Sequence, residues 1–427
     1  MYLINDLQMN VKKNKTNIYL VVYLFIFLYA PPIIFDFNII FILFAYSIIL
    51  LVYKYKKQLY NILNKREIKR FIIGLFVYSI YFLIVLLINL LFSQRAAIDN
   101  YITVIYSYFL FFPVTITCSL YILCFCKKHN IYLNALIKLF ILAAFLQALL
   151  ALMALISRDF KEILLSVMYN HTNNNLLLGE WLNHRRFFGF SRNMLDQFGL
   201  GTGIICGIVI LQTRKFRKYI LFIPFFVLLT FLNAKTGLII IIFSIALFIY
   251  DKSNRTLVLN FTKRYIFLLM ISLIFFIIFI YIFSPQTIEW VLNDFLSFLP
   301  NENHEGISSL LFSKSFWTLP DNIFDIIFGT GHNVFATAGF AHSDVGYINE
   351  IWKTGLFGFA ILYGSIFRLL KSLVTSKIYI VRNIGVLFLV SIILFMVKGQ
   401  IIGYNPATPL IFTLSLFTYS NDKDRVI

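Results

Sequence analysis

The sequence predicts an all-α, polytopic integral membrane protein of about twelve transmembrane helices with both ends in the cytoplasm. Three observations carry this. The chain is 60% hydrophobic and only 13% charged, against about 25% charge in a soluble domain. Its apolar residues fall in nearly uncharged blocks of roughly 20, the length that crosses a hydrocarbon layer about 30 Å thick. Most of the 37 lysines and arginines sit in short clusters on every second connection between those blocks, as cytoplasmic loops do. Lipid forces each backbone polar group to pair within its own segment, so the blocks are helices. The alternating pattern of a membrane barrel is not seen. The net charge of +18 is therefore a topology signal, and no nucleic-acid partner is expected.

Residues 17–53 form one apolar run broken at Pro31, Pro32 and Asp36, a helical hairpin that supplies the first two spans. Lys12, Lys13 and Lys15 precede it, and no small-residue cleavage site follows. The first segment thus reads as a retained helix rather than a signal peptide. The basic stretch 54–70 leads to a third span at 71–92. A polar turn at 93–100 and a fourth span at 101–126 come next. Lys127 and Lys128 mark the return to the cytoplasm, and the fifth span ends near residue 156.

Residues 157–193 form the first long polar loop. The sixth span covers 194–212 and is followed by Arg214, Lys215, Arg217 and Lys218. The seventh and eighth share 219–250, interrupted at Asn233-Ala234-Lys235-Thr236-Gly237. A basic stretch at 251–264 precedes the ninth, 265–283. The second and largest loop runs from 284 to 345, and its 285–299 segment reads as an amphipathic helix on the membrane surface. The tenth span begins near Val345, and the last two lie at 378–397 and 402–419. Of the 19 acidic residues only Asp6, Glu67, Asp251, Asp422 and Asp424 fall on the basic side. The asymmetry puts both long loops on the extracytoplasmic face. No internal repeat and no separate soluble domain is evident, so residues 1–427 form a single transmembrane domain.

Cys118, Cys124, Cys126 and Cys206 lie in or at the ends of the expected helices. Their spacing suits neither zinc nor a redox pair, and they read as buried structural thiols.

Candidate chemistry gathers on the outer side. The first loop carries His184, Arg185, Arg186, Gly189, Arg192 and Asn193 just before the sixth span, and the short turn between the seventh and eighth carries Lys235. The second loop carries Lys314, then Gly329-Thr330-Gly331-His332-Asn333, then His342-Ser343-Asp344. These are cations on the side where cations are rare. Arginine makes two parallel charge-assisted bonds to phosphate, so the set suits the pyrophosphate of a lipid carrier. The alternative is that the arginines neutralise lipid headgroups or pair with Glu180 and Asp196. A histidine titrates near neutrality and serves as a general base. Asp344 lies close enough in sequence to orient His342, and His332 follows a glycine pair that permits a sharp turn; either is otherwise a solvated loop residue. His332, His342 and Asp344 lack a recognised metal-ligand spacing. Glu350 and Lys353, expected about two turns into the tenth span, are spaced to pair, either as a structural ion pair or as part of the site.

The Arg186-Phe187-Phe188-Gly189 run with Asn193 at a helix start resembles a signature of the bacterial O-antigen polymerase/ligase family. The turn Leu229-Thr230 to Thr236-Gly237 is similar to another of its motifs. The Gly329–Asn333 and His342–Asp344 segments with Tyr347, entering a helix with Gly355 and Gly358, resemble its large periplasmic loop. By motif the resemblance covers residues 180–365, and by topology the whole chain. Lys235 and Lys314 stand where the family has arginine, keeping the charge but losing the two-pronged geometry. The family's ligases have more basic, histidine-rich loops, so polymerase fits better.

The resemblance implies a metal-independent glycosyltransferase of the GT-C type, without cofactor, in the bacterial inner membrane. Its substrates would be oligosaccharide repeat units linked to undecaprenyl pyrophosphate, met among membrane lipids, with a chain-length regulator protein as a further partner. Arg185, Arg186, Arg192, Lys235 and Lys314 would hold the pyrophosphate; His342, oriented by Asp344, or else His332, would accept the proton. The competing readings are a flippase for the same lipid-linked unit and an O-antigen ligase.

Overall fold

The computed structural model describes residues 2–31, 39–92, 109–169, 191, 196–213, 217–233, 235–250, 274, 278, 281–282, 317–332, 334, 345–398 and 406–420. Every regular element among the described residues is helical. Five helices are long and apolar enough to cross a membrane, or six if one sharply bent pair counts as a single span. Four shorter apolar helices accompany them: Lys15–Tyr29, Phe198–Leu211, Tyr219–Asn233 and Thr236–Tyr250. This is the architecture of a multi-pass membrane protein. The expected ninth span and the surface helix at 285–299 lie outside the described residues, apart from helical, exposed Ile274, Ile278, Tyr281 and Ile282.

The first half runs α1 (Tyr2–Tyr29), α2 (Ile39–Tyr53), α3 (Lys56–Leu63), α4 (Arg66–Phe92), α5 (Phe111–Lys128), α6 (Leu133–Ile156) and α7 (Arg158–Tyr169). Two of these differ from the sequence reading. The basic stretch 54–70 is not an irregular loop. It turns through 95° into α3 and then starts α4 at Arg66, because Tyr55 and Ile62 recur at helical spacing and are fully buried. Lys54 and Lys128 lie 5.8 and 5.2 Å from the centre of the Tyr55 ring, where a cation is attracted to the ring face. Likewise, the first long loop opens with a helix, α7. The Ser157 hydroxyl caps it by accepting from the Phe160 N–H at 3.2 Å, and Arg158 pairs with Glu162 at 2.9 Å one turn on.

The second half runs α8 (Asp196–Leu211), a 3₁₀ turn (Arg217–Phe222), α9 (Ile223–Asn233), α10 (Lys235–Tyr250), α11 (Ile323–Phe328), α12 (Gly346–Val374), α13 (Tyr379–Lys398) and α14 (Ala407–Ser420). On α4, Phe71, Leu75, Tyr78 and Phe82 are buried while Ile73, Phe76, Ile80 and Ile84 are exposed. An apolar outer face of this kind suits lipid. All four cysteines are buried and free, as expected.

Contacts between helices fix their directions. α4 and α12 are antiparallel, since Gly74 abuts Ser365 and Tyr81 abuts Gly358. At one end Arg368 pairs with Glu67 at 3.0 Å, and Arg70 joins the same carboxylate at 3.2 Å. α14 finishes at this basic end: the Tyr419 hydroxyl donates to the Arg368 carbonyl at 3.0 Å, and Thr418 meets Ser372 at 2.9 Å. α14 therefore begins at the opposite end, where Pro406 packs on Gly201 of α8. Gly199 and Gly203 of α8 lie on Gly237 of α10, and Gly207 lies on Ser244. The two helices thus run parallel, with small residues at intervals of one turn letting the backbones approach. The N-termini of α8, α10 and α14 share the end opposite the Glu67–Arg368 cluster.

Candidate functional site

At that same end a turn is docked into a broken helix. α12 contains Gly355 at φ 65° and ψ 179°, a conformation open essentially to glycine alone. The break bends the helix hard. Tyr347 and Phe359, which a straight helix would hold about 18 Å apart, have ring centroids 6.1 Å apart. A helix end leaves carbonyls unpaired, and here other elements satisfy them. The Thr330 N–H and hydroxyl donate to the Trp352 carbonyl at 2.7 and 2.8 Å. The Gly331 N–H donates to the Lys353 carbonyl at 3.0 Å. From α4 the Tyr81 hydroxyl donates to the Phe328 carbonyl at 2.7 Å, with the Thr354 carbonyl 3.1 Å away. The Trp352 indole N–H reaches back to the Thr318 carbonyl at 2.9 Å.

The turn is built for this contact. Asn322 caps α11 by accepting from the Phe324 N–H at 3.0 Å. Gly329, at φ 85°, ends α11 and lies against the Thr354–Gly355 backbone. A side chain at Gly329 or at Gly355 would overlap the other strand of the junction.

His332 follows directly. It is half-buried, and its backbone N–H donates to the Thr330 hydroxyl at 3.3 Å. Burial pushes its imidazole below the ordinary value of 6.5, while nearby Asp325 pulls the other way. The net direction favours a neutral ring at neutral pH.

Of the other sequence-predicted residues, Lys235 is the first residue of α10, at the same end as the N-terminus of α8; its side chain lies outside the described residues. His342, Asp344, Arg185, Arg186, Arg192 and Lys314 also lie outside them. Arg192 precedes α8 in sequence and Asp344 precedes α12. No group of His, Cys, Asp or Glu among the described residues has the geometry of a metal site.

Glu350 and Lys353 pair at 3.9 Å and are 0% and 2% exposed. Lys353 lies two turns from the start of α12, as expected, and both residues stand on the helical segment before the break at Gly355. Two participants escape sequence reading. Tyr81 is an ordinary helix residue until the junction brings it to the turn. Asn349, fully buried, carries a faint signal: an amide in a largely apolar stretch one position before a paired carboxylate. Comparison with known protein families, with curated proteins and with solved structures finds no match to this chain.

Proposed function

We propose that this chain is an O-antigen polymerase of about twelve spans with a GT-C-like fold, acting at the outer face of the bacterial inner membrane. It transfers a growing oligosaccharide from undecaprenyl pyrophosphate onto the next lipid-linked repeat unit. The observation that carries the reading is a shared end. The helix starts that follow the Arg186–Asn193 and Asn233–Gly237 motifs lie at the same end as the Gly329–His332 turn. The opposite end carries Arg66, Arg70, Arg368 and Lys371, which supports a cytoplasmic assignment there.

In this mechanism the acceptor hydroxyl oxygen attacks the anomeric carbon of the donor sugar. The bond from that carbon to the pyrophosphate oxygen breaks, and the carrier leaves as an anion. Arg186, Arg192 and Lys235, with Arg185 and Lys314 at the rim, offset the charge that develops on it. His342, aligned by Asp344, or else His332, takes the hydroxyl proton. No metal is required.

One observation favours a second reading. A helix broken at a glycine beside a buried ion pair is also how transporters build substrate sites, which suits a flippase for the same lipid-linked unit. Lipopolysaccharide from a deletion strain separates the two. Loss of a polymerase leaves core bearing a single repeat unit; loss of a flippase leaves core alone.

A further inference from the structure

We infer that the corner between α2 and α3, together with the end of α5, binds the phosphate headgroup of an anionic phospholipid whose tails lie along the exposed face of α2. This rests on the membrane class alone and is independent of the polymerase reading. Residues 54–66 hold five lysines and arginines and no acidic residue. The carboxylate that follows, Glu67, is taken by Arg70 and Arg368. Lys54, Lys56, Lys57 and Lys128 are exposed, and none of them forms an ion pair with a described acidic residue.

The fold gathers these charges. Tyr55 is fully buried at the corner and meets Tyr121 of α5 edge-on, with ring centroids 5.8 Å apart. That contact seats the corner on α5, and Lys54 and Lys128 reach one ring at 5.8 and 5.2 Å from its centre. The ring attracts each ammonium but carries no net charge to cancel it. An anion at the corner relieves the repulsion between them.

The shape selects a lipid over a soluble anion. α3 leaves the apolar α2 at 95°, so with α2 upright in the bilayer α3 lies along its surface, as lysine-bearing amphipathic helices do. Ile42, Tyr46, Ile49 and Tyr53 recur at helical spacing and are exposed, as is Val52 beside them. This apolar strip runs up to Lys54, so a molecule held there by its phosphate finds a surface for acyl chains next to it. Tyr53 and exposed Tyr60 suit the headgroup level. A soluble phosphate or an acidic protein segment makes no use of the strip.

The test titrates the purified full chain in mild detergent with phosphatidylglycerol and with phosphatidylcholine of identical acyl chains, and reads bound lipid by native mass spectrometry. The wild type is expected to hold phosphatidylglycerol about tenfold more tightly. Lys54→Gln with Lys128→Gln should remove most of that preference, and Lys54→Arg with Lys128→Arg should keep it. Lys56→Gln with Lys57→Gln should remove part of it without touching the Tyr55 contact, a result that does not depend on the folding of the first pair. Lys371→Gln with Lys377→Gln removes equal charge from exposed positions elsewhere and should leave the preference intact. Equal affinity of the wild type for the two lipids overturns the inference, as does a full preference in both the Lys54/Lys128 and the Lys56/Lys57 glutamine variants. An equal loss from the Lys371 and Lys377 pair also overturns it, because the binding is then diffuse surface charge. If inorganic phosphate or a poly-glutamate peptide displaces phosphatidylglycerol at equal concentration, the corner takes soluble anions and the lipid assignment falls.

Discussion

Gly355 is the residue on which the N-terminal end of α12 turns. Its φ of 65° and ψ of 179° cost an ordinary residue about 1–3 kcal/mol, and a methyl group there would overlap the Ile327 carbonyl. Gly355→Ala should lower the melting temperature of the purified protein and its yield. Gly364→Ala, with nothing within 4 Å of the added carbon, should be neutral or stabilising. Equal melting temperatures for the two would contradict the strained junction. His332 adds a pH dependence. Its folded-state pKa lies below the ordinary 6.5, so the folded protein binds fewer protons than the unfolded chain just below that value. Its contribution to stability is present above about pH 6.5 and is lost as pH falls. Thermal unfolding of the wild type should weaken between about pH 6.5 and 5, and His332→Gln should flatten that slope. At the pyrophosphate, Arg186→Ala should cut polymer formation on the order of a hundredfold, about 3 kcal/mol, with normal protein level. Full-length chains from both Arg186→Ala and Lys235→Ala would remove these residues from the anion site. Arg186 and Arg192 draw attention in the sequence because arginine in a loop expected to lie outside breaks a charge rule. Tyr81 does not, because its role exists only once α4, the turn and α12 meet.

The parallel pair α8 and α10 is the element most dependent on close approach. A Cβ at Gly203 would fall 2.6 Å from the Gly237 carbonyl oxygen, leaving no room for a branched side chain. Gly203→Leu should force the helices apart and lower the melting temperature by more than Gly355→Ala does. It should also reduce polymer formation by shifting Lys235 relative to the start of α8. A Gly203→Leu protein with wild-type melting would show that the two helices do not pack through their glycines. The sequence marks both helices as apolar but gives no hint of their partnership, since the spacing Gly199, Gly203, Gly207 is recognisable only when a facing helix is known. α3 and α7 were hidden for a different reason. Their charged residues interrupt the apolar ones, and single buried residues such as Tyr55, Ile62 and Lys161 do not make an apolar run. The bend in α12 was hidden because a glycine inside an apolar run is usually tolerated. What opens it is a turn distant in sequence that supplies donors to the Trp352 and Lys353 carbonyls.

Across the whole molecule, we propose that the Glu67–Arg368 end, rich in lysine and arginine, faces the cytoplasm and that the end bearing the Gly329–His332 turn faces outward. Alkaline phosphatase fused at Asn174 or Asn303 should be active, and a fluorophore that matures only in the cytoplasm should stay dark at both positions. The reverse at either position would invert the site. Composition made the membrane class legible, because lipid imposes it on the sequence directly. The convergence of helix starts was not, because it depends on which spans run parallel. The most direct measurement uses purified protein in liposomes loaded with lipid-linked repeat units. A polymerase yields a ladder of longer lipid-linked chains, with one undecaprenyl pyrophosphate released for each bond formed and no need for added metal. Repeat units that cross the bilayer without ever being joined would contradict the polymerase reading.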